Sequence, residues 1–295
     1  MKLFLPVCAL TLLSACATTS TPKAIVPMDV SSGRPIVELM LNGDGPFPFV
    51  LDTGASAFVL RSSTVEQLQL TASGQSTISS PGGSPVPVNE VGVDDLSISD
   101  LSFGPVEAIY FEEGSMVSQL GAGVIGPVFL KDAGRTYLNL IDNELEIGGS
   151  FITPEDGKWI AFGESAPLLD VSLRFGDLDI PGRIDTGNPS IIAVPEHYAE
   201  ELPLDSHVEV VGKARTVDRE FEIRGAEMRY ELQISDGVIP LENVSFFDRQ
   251  FANLGMGALH GLTLEIDWQN ERYAVFGLAN PKQHRRRMKR KPATD

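Results

Sequence analysis

The sequence predicts an all-β fold made of two similar halves, and three observations lead to this prediction. Apolar runs of strand length recur from residue 35 onward, separated by Gly, Pro, Asp and Asn. Helical patterns are few and short, at residues 64–70 and 195–202. The pattern around an Asp-Thr-Gly triplet at residue 52 recurs around a second triplet at residue 185, which indicates a duplicated domain.

Length and composition are those of a globular chain. The 295 residues are enough for two compact domains, and a content of 42% apolar and 21% charged residues is not that of a disordered or fibrous protein. The formal net charge is −17, so we expect no nucleic-acid partner for the body of the protein.

The N-terminus has the features of a processing segment. Residues 1–15 combine a positive start with an apolar run that is too short to span a bilayer, as in a secretory signal peptide. The run ends in Leu-Ser-Ala-Cys, which resembles the lipobox of bacterial lipoproteins, where the cysteine (here Cys16) is acylated. The alternative is an ordinary signal peptide that happens to contain a cysteine.

A lipid on Cys16 would anchor the protein to a membrane of the bacterial cell envelope. By resemblance to Gram-negative lipoproteins, Ala17 after the cysteine favours the outer membrane, facing the periplasm. Residues 16–33 are predicted to be the lipidated cysteine and a flexible tether. Because Cys8 would leave with the signal peptide, we expect neither an internal disulfide nor a cysteine nucleophile in the mature chain.

The two halves match along their length. Residues 41–68 and 174–202 each contain a Gly/Asp turn, an apolar strand, the Asp-Thr-Gly triplet, a second strand and a short helix. Residues 137–148 and 262–277 each read as a hairpin with an Asp-centred turn. The predicted units are a first lobe at 34–150, a linker at 151–166, a second lobe at 167–280 and a basic tail at 281–295.

The basic tail has seven Lys or Arg residues between positions 282 and 291. Two interpretations stay open for it. The tail contacts anionic lipid or glycan, or it is a solvated terminus.

The two triplets carry the candidate chemistry through Asp52 and Asp185. Hydrolysis of a peptide bond by water needs a base for the water and an acid for the carbonyl oxygen, and two neighbouring carboxyls that share one proton supply both. Gly54 and Gly187 permit the tight turns that would bring the two loops together. A single triplet of this kind also occurs as an ordinary turn that caps a hairpin, but its duplication at matching places favours a catalytic pair.

The chain resembles the retropepsin-like and pepsin-like aspartic peptidases, in particular the bacterial retropepsin-like group. The sequence Asp-Thr-Gly-Ala-Ser at 52–56 matches that family's motif in full. A family signature of two apolar residues and a glycine near the end of each lobe is matched by Val-Ile-Gly at 124–126, and Asn-Leu-Gly at 253–255 is its counterpart in the second half. The resemblance extends over roughly residues 35–277.

The resemblance implies two β-barrel-like lobes that form a pseudodimer, with Asp52 and Asp185 at the floor of a central cleft. It implies hydrogen bonds between Thr53 and Thr186 across the seam, and one from Ser56 to the Asp52 carboxylate. It implies a monomer that cleaves peptide or protein substrates without a cofactor or metal ion.

The family also has a β-hairpin flap that closes over the substrate. Its candidate is the Pro-Gly-Gly turn formed by Pro81, Gly82 and Gly83, between strand-forming residues. The alternative is an ordinary surface hairpin.

Three positions of the second half depart from the family pattern. Pro189 replaces the Ser or Thr that would bond Asp185, so this bond is either missing or supplied by Ser190. Asn253 replaces an apolar residue of the glycine signature. The charge of Arg183 would lower the pKa of Asp185 if the two side chains faced each other.

Three functions are therefore carried forward. The first is an aspartic endopeptidase whose water is activated between Asp52 and Asp185. The alternative is a catalytically weak or inactive relative that binds peptide or envelope material in the same cleft, or a structural envelope lipoprotein.

The four histidines are scattered without metal-ligand spacing, and no metal site is expected.

Overall fold

The computed structural model describes residues 23–79, 85–111, 121–165, 167–215, 220–235 and 237–277. It is mostly β and contains one sheet from each half and a third sheet to which both halves contribute, so the predicted all-β, two-lobe fold is confirmed. Among the residues in these ranges, no helix has the length and apolar character needed to cross a bilayer.

Most strands are short, as the spacing of turn residues predicts, but two strands of the second half, at Glu220–Ile234 and Gly237–Phe247, are longer. In chain order they are β1 (Ala24–Pro27), β2 (Ile36–Leu41), β3 (Asp44–Leu51), β4 (Phe58–Leu60), β5 (Ala72–Ser79), β6 (Pro85–Val93), β7 (Leu96–Ile98), β8 (Leu101–Ser102), β9 (Val106–Tyr110), β10 (Gly123–Ile125), β11 (Arg135–Asn139), β12 (Glu144–Ile147), β13 (Ile160–Ala161), β14 (Asp170–Phe175), β15 (Leu178–Ile184), β16 (Ile192–Pro195), β17 (Glu209–Arg215), β18 (Glu220–Ile234), β19 (Gly237–Phe247), β20 (Ala252–Leu254), β21 (Thr263–Asp267) and β22 (Arg272–Phe276).

The helices of the described ranges are short and lie between strands. The predicted helix at 64–70 is α1 (Ser62–Gln67), and the one at 195–202 is a 3-10 turn at Glu196–Tyr198. A 3-10 helix at Pro127–Ala133 and α2 (Met256–Leu259) follow the glycine signatures of the two halves.

The strand order proves the duplication that the sequence predicts. The first-half sheet runs β5-β6-β9-β4-β10-β3-β2-β7-β8, and the second-half sheet runs β17-β18-β19-β16-β20-β15-β14. The first seven strands correspond one to one, with the same parallel and antiparallel pairings. Among the described strands, β7 and β8 of the first-half sheet have no counterpart in the second-half sheet. Strand β14 also pairs with β18, so the second sheet curls back on itself.

The strands that lead into the two triplets lie in the middle of their sheets. The last three residues of β3 are buried, as are all three residues of its parallel partner β10. Strands covered on both faces read as continuous apolar runs, and this explains the Phe-Val-Leu sequence before Asp52. Peripheral strands alternate instead: in β14, Val171, Leu173 and Phe175 are buried and the residues between them are not.

The third sheet joins the halves in the order β1-β12-β11-β21-β22-β13. The predicted hairpins at 137–148 and 262–277 are the pairs β11–β12 and β21–β22. Strand β11 pairs antiparallel with β21, from Arg135 opposite Asp267 to Asn139 opposite Thr263.

The edge strands of this third sheet correct two sequence predictions. Residues 24–27, expected in the tether, form β1 on β12, and residues 160–161, expected in the linker, form β13 on β22. The local composition of the tether and the linker does not reveal these strands, because a strand this short between polar residues is stable only when it pairs with a neighbouring strand.

A buried ion pair spans the join in this sheet. Arg135 Nε lies 2.7 Å from Glu265 Oε1, and the two side chains are 2% and 0% exposed. The Glu265 carboxylate also accepts the backbone N–H groups of Ile152 and Thr153, each at 2.8 Å. The pair thus ties a residue of the first half to one of the second half and to the connection between them.

Candidate active site

The two aspartates leave equivalent positions in the two sheets. Asp52 follows the end of β3 and donates its backbone N–H to the Ile125 carbonyl of β10 at 3.0 Å. Asp185 follows β15 and donates its N–H to the Leu254 carbonyl of β20 at 2.9 Å. In each half, the parallel neighbour of the strand therefore fixes the backbone at the point where the carboxyl side chain emerges.

The two carboxyl groups meet across the seam between the halves. A Cβ placed on Gly54 would lie 2.7 Å from the Asp185 carboxyl carbon, and one on Gly187 would lie 2.3 Å from the Asp52 carboxyl carbon. Each carboxyl thus packs against the glycine of the opposite triplet, and a side chain there would collide with it. Gly54 and Gly187 are therefore needed for the close approach of the two loops. The turn of each triplet by itself did not predict this second reason for a glycine.

The two threonines form a reciprocal hydrogen-bonded link beneath the carboxyls. The backbone N–H of Thr53 donates to Thr186 Oγ1, and that of Thr186 donates to Thr53 Oγ1, both at 3.0 Å. The hydroxyl of Thr53 donates to the Ile184 carbonyl at 2.8 Å, and that of Thr186 to the Leu51 carbonyl at 2.6 Å. Both threonines are buried. This is the cross-seam bonding that the family resemblance implies.

Asp52 is held in an environment that disfavours its charge. Burial of the carboxyl, followed by the negative charge and hydrogen bonding of Asp185, raises the pKa of Asp52 well above its ordinary value. The N–H groups of Gly54 and Gly187 act in the opposite direction and are outweighed. One of them, Gly54 N–H, lies 2.7 Å from Asp52 Oδ1. A pair with one carboxyl held protonated is the arrangement needed for combined acid and base catalysis.

Asp185 has a different partner from the one the sequence suggested. The side-chain amide of Asn253 donates to Asp185 Oδ2, whereas Ser190 bonds Asn188 and not the aspartate. Asp185 Oδ1 is buried and has no hydrogen-bond donor among the described residues. The departure at position 253 is therefore part of the site rather than a defect in it.

The hydrogen bond that the resemblance implied for Ser56 is absent, and the condition stated for Arg183 is not met. Ser56 is exposed and, within the described part of the chain, makes no hydrogen bond to Asp52. Arg183 does not face Asp185, because its guanidinium pairs with Asp170 of β14 at 2.7 Å. Residues two apart within a strand point to the same face of the sheet. Asp185 lies beyond the end of β15, where the backbone leaves the sheet, so this rule does not apply to Arg183 and Asp185.

The glycine signatures lie directly behind the two triplet loops. A Cβ on Gly126 would lie 2.1 Å from the Ala55 carbonyl oxygen, and one on Gly255 would lie 2.4 Å from the Ser190 carbonyl oxygen. Each glycine therefore lets a neighbouring segment pack tightly against the loop that carries the aspartate.

Arg34 is a site residue that the sequence did not indicate. Its Nε donates to the Gly187 carbonyl at 2.7 Å, so a side chain of the first half holds the triplet loop of the second. A lone arginine after a turn carries no pattern from which this contact could be read.

Several predicted functional residues lie outside the described residues. They are Cys16, the flap residues Pro81, Gly82 and Gly83, and the tail at 281–295. The strands that lead to and from the flap turn are described, and β5 pairs with β6 up to Ser79 opposite Pro85. Among described residues, no group of three or more His, Cys, Asp or Glu side chains is placed to hold a metal ion.

Comparison with known proteins relates the first half of the site to one family. Residues 37–127 match the aspartyl protease family model, a span that contains the first triplet and the first glycine signature and ends before the second triplet. The match supports a retropepsin-like aspartic protease domain, protease function in general and a peptide substrate. No curated protein matches the chain significantly.

Proposed function

We propose that this chain is an aspartic endopeptidase that hydrolyses peptide bonds with a water molecule activated between Asp52 and Asp185. One observation carries the proposal: each of the two carboxyls packs against the glycine of the opposite triplet, so the acids face one another across the seam. Neither half supplies this arrangement by itself, because each carboxyl packs against a glycine of the other half. The family match of residues 37–127 supports the same class of reaction.

The reaction follows from the unequal protonation of the pair. The ionised carboxylate takes a proton from water as the water oxygen bonds to the carbonyl carbon, and the protonated carboxyl gives its proton to the carbonyl oxygen. In the second step, the carbon–nitrogen bond breaks as the leaving amine takes a proton from the protonated carboxyl, and the other carboxylate takes a proton from a hydroxyl group on the tetrahedral carbon as the new carbonyl forms, so the pair again holds one proton. The raised pKa of Asp52 supplies the neutral acid at a pH where an ordinary aspartate would be ionised.

The proposed protein acts as a monomer with its substrate held between the halves. Both carboxyls come from one chain, so no second copy is needed to complete the pair. The hairpin β5–β6 lies at the sheet position that would carry a flap, and β17–β18 occupies the equivalent place in the second half.

The alternative is an inactive relative that binds peptides or envelope material. It is favoured by two features of the triplet loops: Ser56 does not bond Asp52, and the equivalent position of the second half is an exposed proline, Pro189. The hydrogen bond from Asn253 to Asp185 favours the enzyme instead.

The deciding experiment is digestion of a peptide library by the purified full chain. Wild type is compared with Asp52→Asn and Asp185→Asn, and with Asp100→Asn as a matched change at an exposed turn. We expect cleavage by wild type and the control, and none by either site variant. Cleavage that survives in a site variant would exclude the shared-proton mechanism, and peptide binding by a wild type that does not cleave would establish the alternative.

We also propose that lipid on Cys16 anchors the protein in the cell envelope, at the outer membrane facing the periplasm. The support is the sequence Leu-Ser-Ala-Cys after a short apolar run. Metabolic labelling with a tagged fatty acid should mark wild type but not Cys16→Ser, and label retained in the variant would refute the anchor.

A further inference from the structure

We propose that Arg34 is a positioning residue that holds Gly187 in place against the Asp52 carboxyl from the opposite half of the chain. The inference rests on the proposed peptidase function and adds to it a residue that lies outside both triplets. Arg34 acts through Gly187, and this role is the same whichever of the two acids carries the shared proton.

Gly187 has no side chain with which to fix its own backbone. A Cβ at this position would lie 2.3 Å from the carboxyl carbon of Asp52, so only glycine fits. The N–H of Gly187 also interacts with that carboxyl. Because glycine has more backbone freedom than any other residue, its place beside the carboxyl depends on what holds the neighbouring peptide groups.

The peptide group after Gly187 is held from two directions. Its carbonyl accepts a hydrogen bond from Arg34 Nε at 2.7 Å, and its N–H, which belongs to Asn188, donates to the Asp185 carbonyl at 3.3 Å. The second bond is long and closes a turn within the triplet loop itself. The first is short, has a charged donor and ties the loop to a residue of the other half.

Arg34 lies in a turn that is itself fixed. Asp29 and Ile36 exchange backbone hydrogen bonds of 2.9 and 2.8 Å at the two ends of this turn. A Cβ on Gly33 would lie 3.4 Å from Pro189 Cβ, which is van der Waals contact, so the turn packs against the second triplet loop. Pro189, which departs from the family pattern, therefore lies beside the segment that carries the arginine.

The matching position of the second half cannot make this contact. Strands β2 and β14 pair with β3 and β15 in the same register, which places Ile36 and Asp170 at corresponding positions. Two residues earlier, Arg34 of the first half corresponds to Leu168 of the second, whose side chain has no donor. The first triplet loop is therefore an internal reference for the second.

The test separates the hydrogen bond of Arg34 from its charge. The side-chain nitrogen of glutamine is as many bonds from Cβ as Nε is in arginine, so Arg34→Gln keeps a donor and loses the charge. Arg34→Met has the same reach with neither. Arg174→Met is the matched control, since Arg174 is 52% exposed and pairs with an exposed aspartate of β15. Each full-chain variant is first checked for cooperative unfolding in urea.

The first readout is the kinetics of cleavage of a peptide found in the library digest. We expect kcat of Arg34→Met to fall by about 10- to 100-fold, because a displaced Gly187 misplaces the carboxyl that packs against it. KM should stay within about twofold of wild type, since the lost bond is made to the loop. Arg34→Gln should keep most of the wild-type kcat, and Arg174→Met all of it.

The second readout needs no turnover. Thr-Gly occurs twice in the sequence, at 53–54 and 186–187. Protein labelled with carbonyl carbon-13 threonine and nitrogen-15 glycine therefore gives filtered amide signals from Gly54 and Gly187 alone. Thr53→Ser keeps the hydroxyl and removes the Gly54 signal, so it assigns both.

In Arg34→Met, we expect the Gly187 amide signal to shift and its hydrogen to exchange with solvent about tenfold faster than in wild type. The Gly54 amide should change less, because its loop does not contact Arg34. Arg34→Gln and Arg174→Met should resemble wild type at both amides.

The proposal is overturned by a kcat of Arg34→Met within about twofold of wild type, by an unchanged Gly187 amide in that variant, or by equal losses in Arg34→Gln and Arg34→Met. Equal changes at Gly54 and Gly187 would also overturn it, because they would mean a loosened seam rather than the release of one loop. A wild type that cleaves nothing would refute the peptidase function, while the amide signals still decide whether Arg34 holds Gly187.

Discussion

Replacement of Thr53 by valine tests the link that holds the two triplets together. Valine has nearly the shape of threonine but lacks the hydroxyl. The change removes the oxygen that accepts the Thr186 N–H at 3.0 Å and donates to the Ile184 carbonyl at 2.8 Å. Thr53 is 1% exposed, so water cannot replace these bonds without a rearrangement of the seam.

The expected loss of stability follows from the groups left without partners. A buried backbone N–H or carbonyl without a hydrogen bond costs about 1–3 kcal/mol. Two such groups, less about 0.8 kcal/mol for the added buried methyl, give a fall in the free energy of unfolding on the order of 3 kcal/mol. Because the chain is a duplicate, Thr186→Val should lose about as much, through the Thr53 N–H and the Leu51 carbonyl.

The assay is equilibrium unfolding in urea, followed by the fluorescence of Trp159 and Trp268. Thr53→Ser is the matched control, since serine keeps the hydroxyl and loses only a methyl group. The reasoning is refuted if Thr53→Val unfolds within 0.5 kcal/mol of wild type, or if Thr53→Ser loses as much as Thr53→Val. Unequal losses in Thr53→Val and Thr186→Val would show instead that the seam is not two-fold in energy.

Two further predictions concern buried charge. Glu265→Gln removes the charge of the buried partner of Arg135, which keeps Glu146 Oε2 at 3.1 Å, so we expect a loss of about 1.5–3 kcal/mol, as for a hydrogen bond to a charged group, measurable by the same urea titration; a loss below about 0.5 kcal/mol would contradict this. Asp52→Asn should be more stable than wild type at pH 7. The difference in the free energy of unfolding should vanish below about pH 3.8, the ordinary pKa of an aspartate. Because folding raises the pKa of Asp52, the native state binds more protons than the unfolded state above that pH, and the free energy of unfolding of wild type falls as the pH rises. Thermal melts of both proteins from pH 3 to 8 give the comparison, and parallel curves would refute it.

The two halves share a topology but not a chemistry. All seven corresponding strands keep their order and direction, and the threonine link is reciprocal. The difference lies in the side chains around each acid. Val124 and Ala55 of the first half occupy the positions that correspond to Asn253 and Asn188 of the second half. A duplicated chain can change one half alone, whereas two identical subunits cannot.

The sequence by itself determined the fold class, the duplication, the two triplets and the hairpins of the shared sheet. These features are written in local patterns, since strand spacing, turn residues and the order of motifs can be read along the chain. It also contained the unusual Asn253, but as an apparent departure without a role.

Only the tertiary structure decided which groups touch the carboxyls. Asn253 lies 68 residues beyond Asp185 in the chain, and Arg34 reaches Gly187 from 153 residues away. Ser56, four residues after Asp52, points to solvent instead. Hydrogen bonds form within about 3 Å, and approach at that distance is set by the packing of whole sheets, which no local pattern encodes.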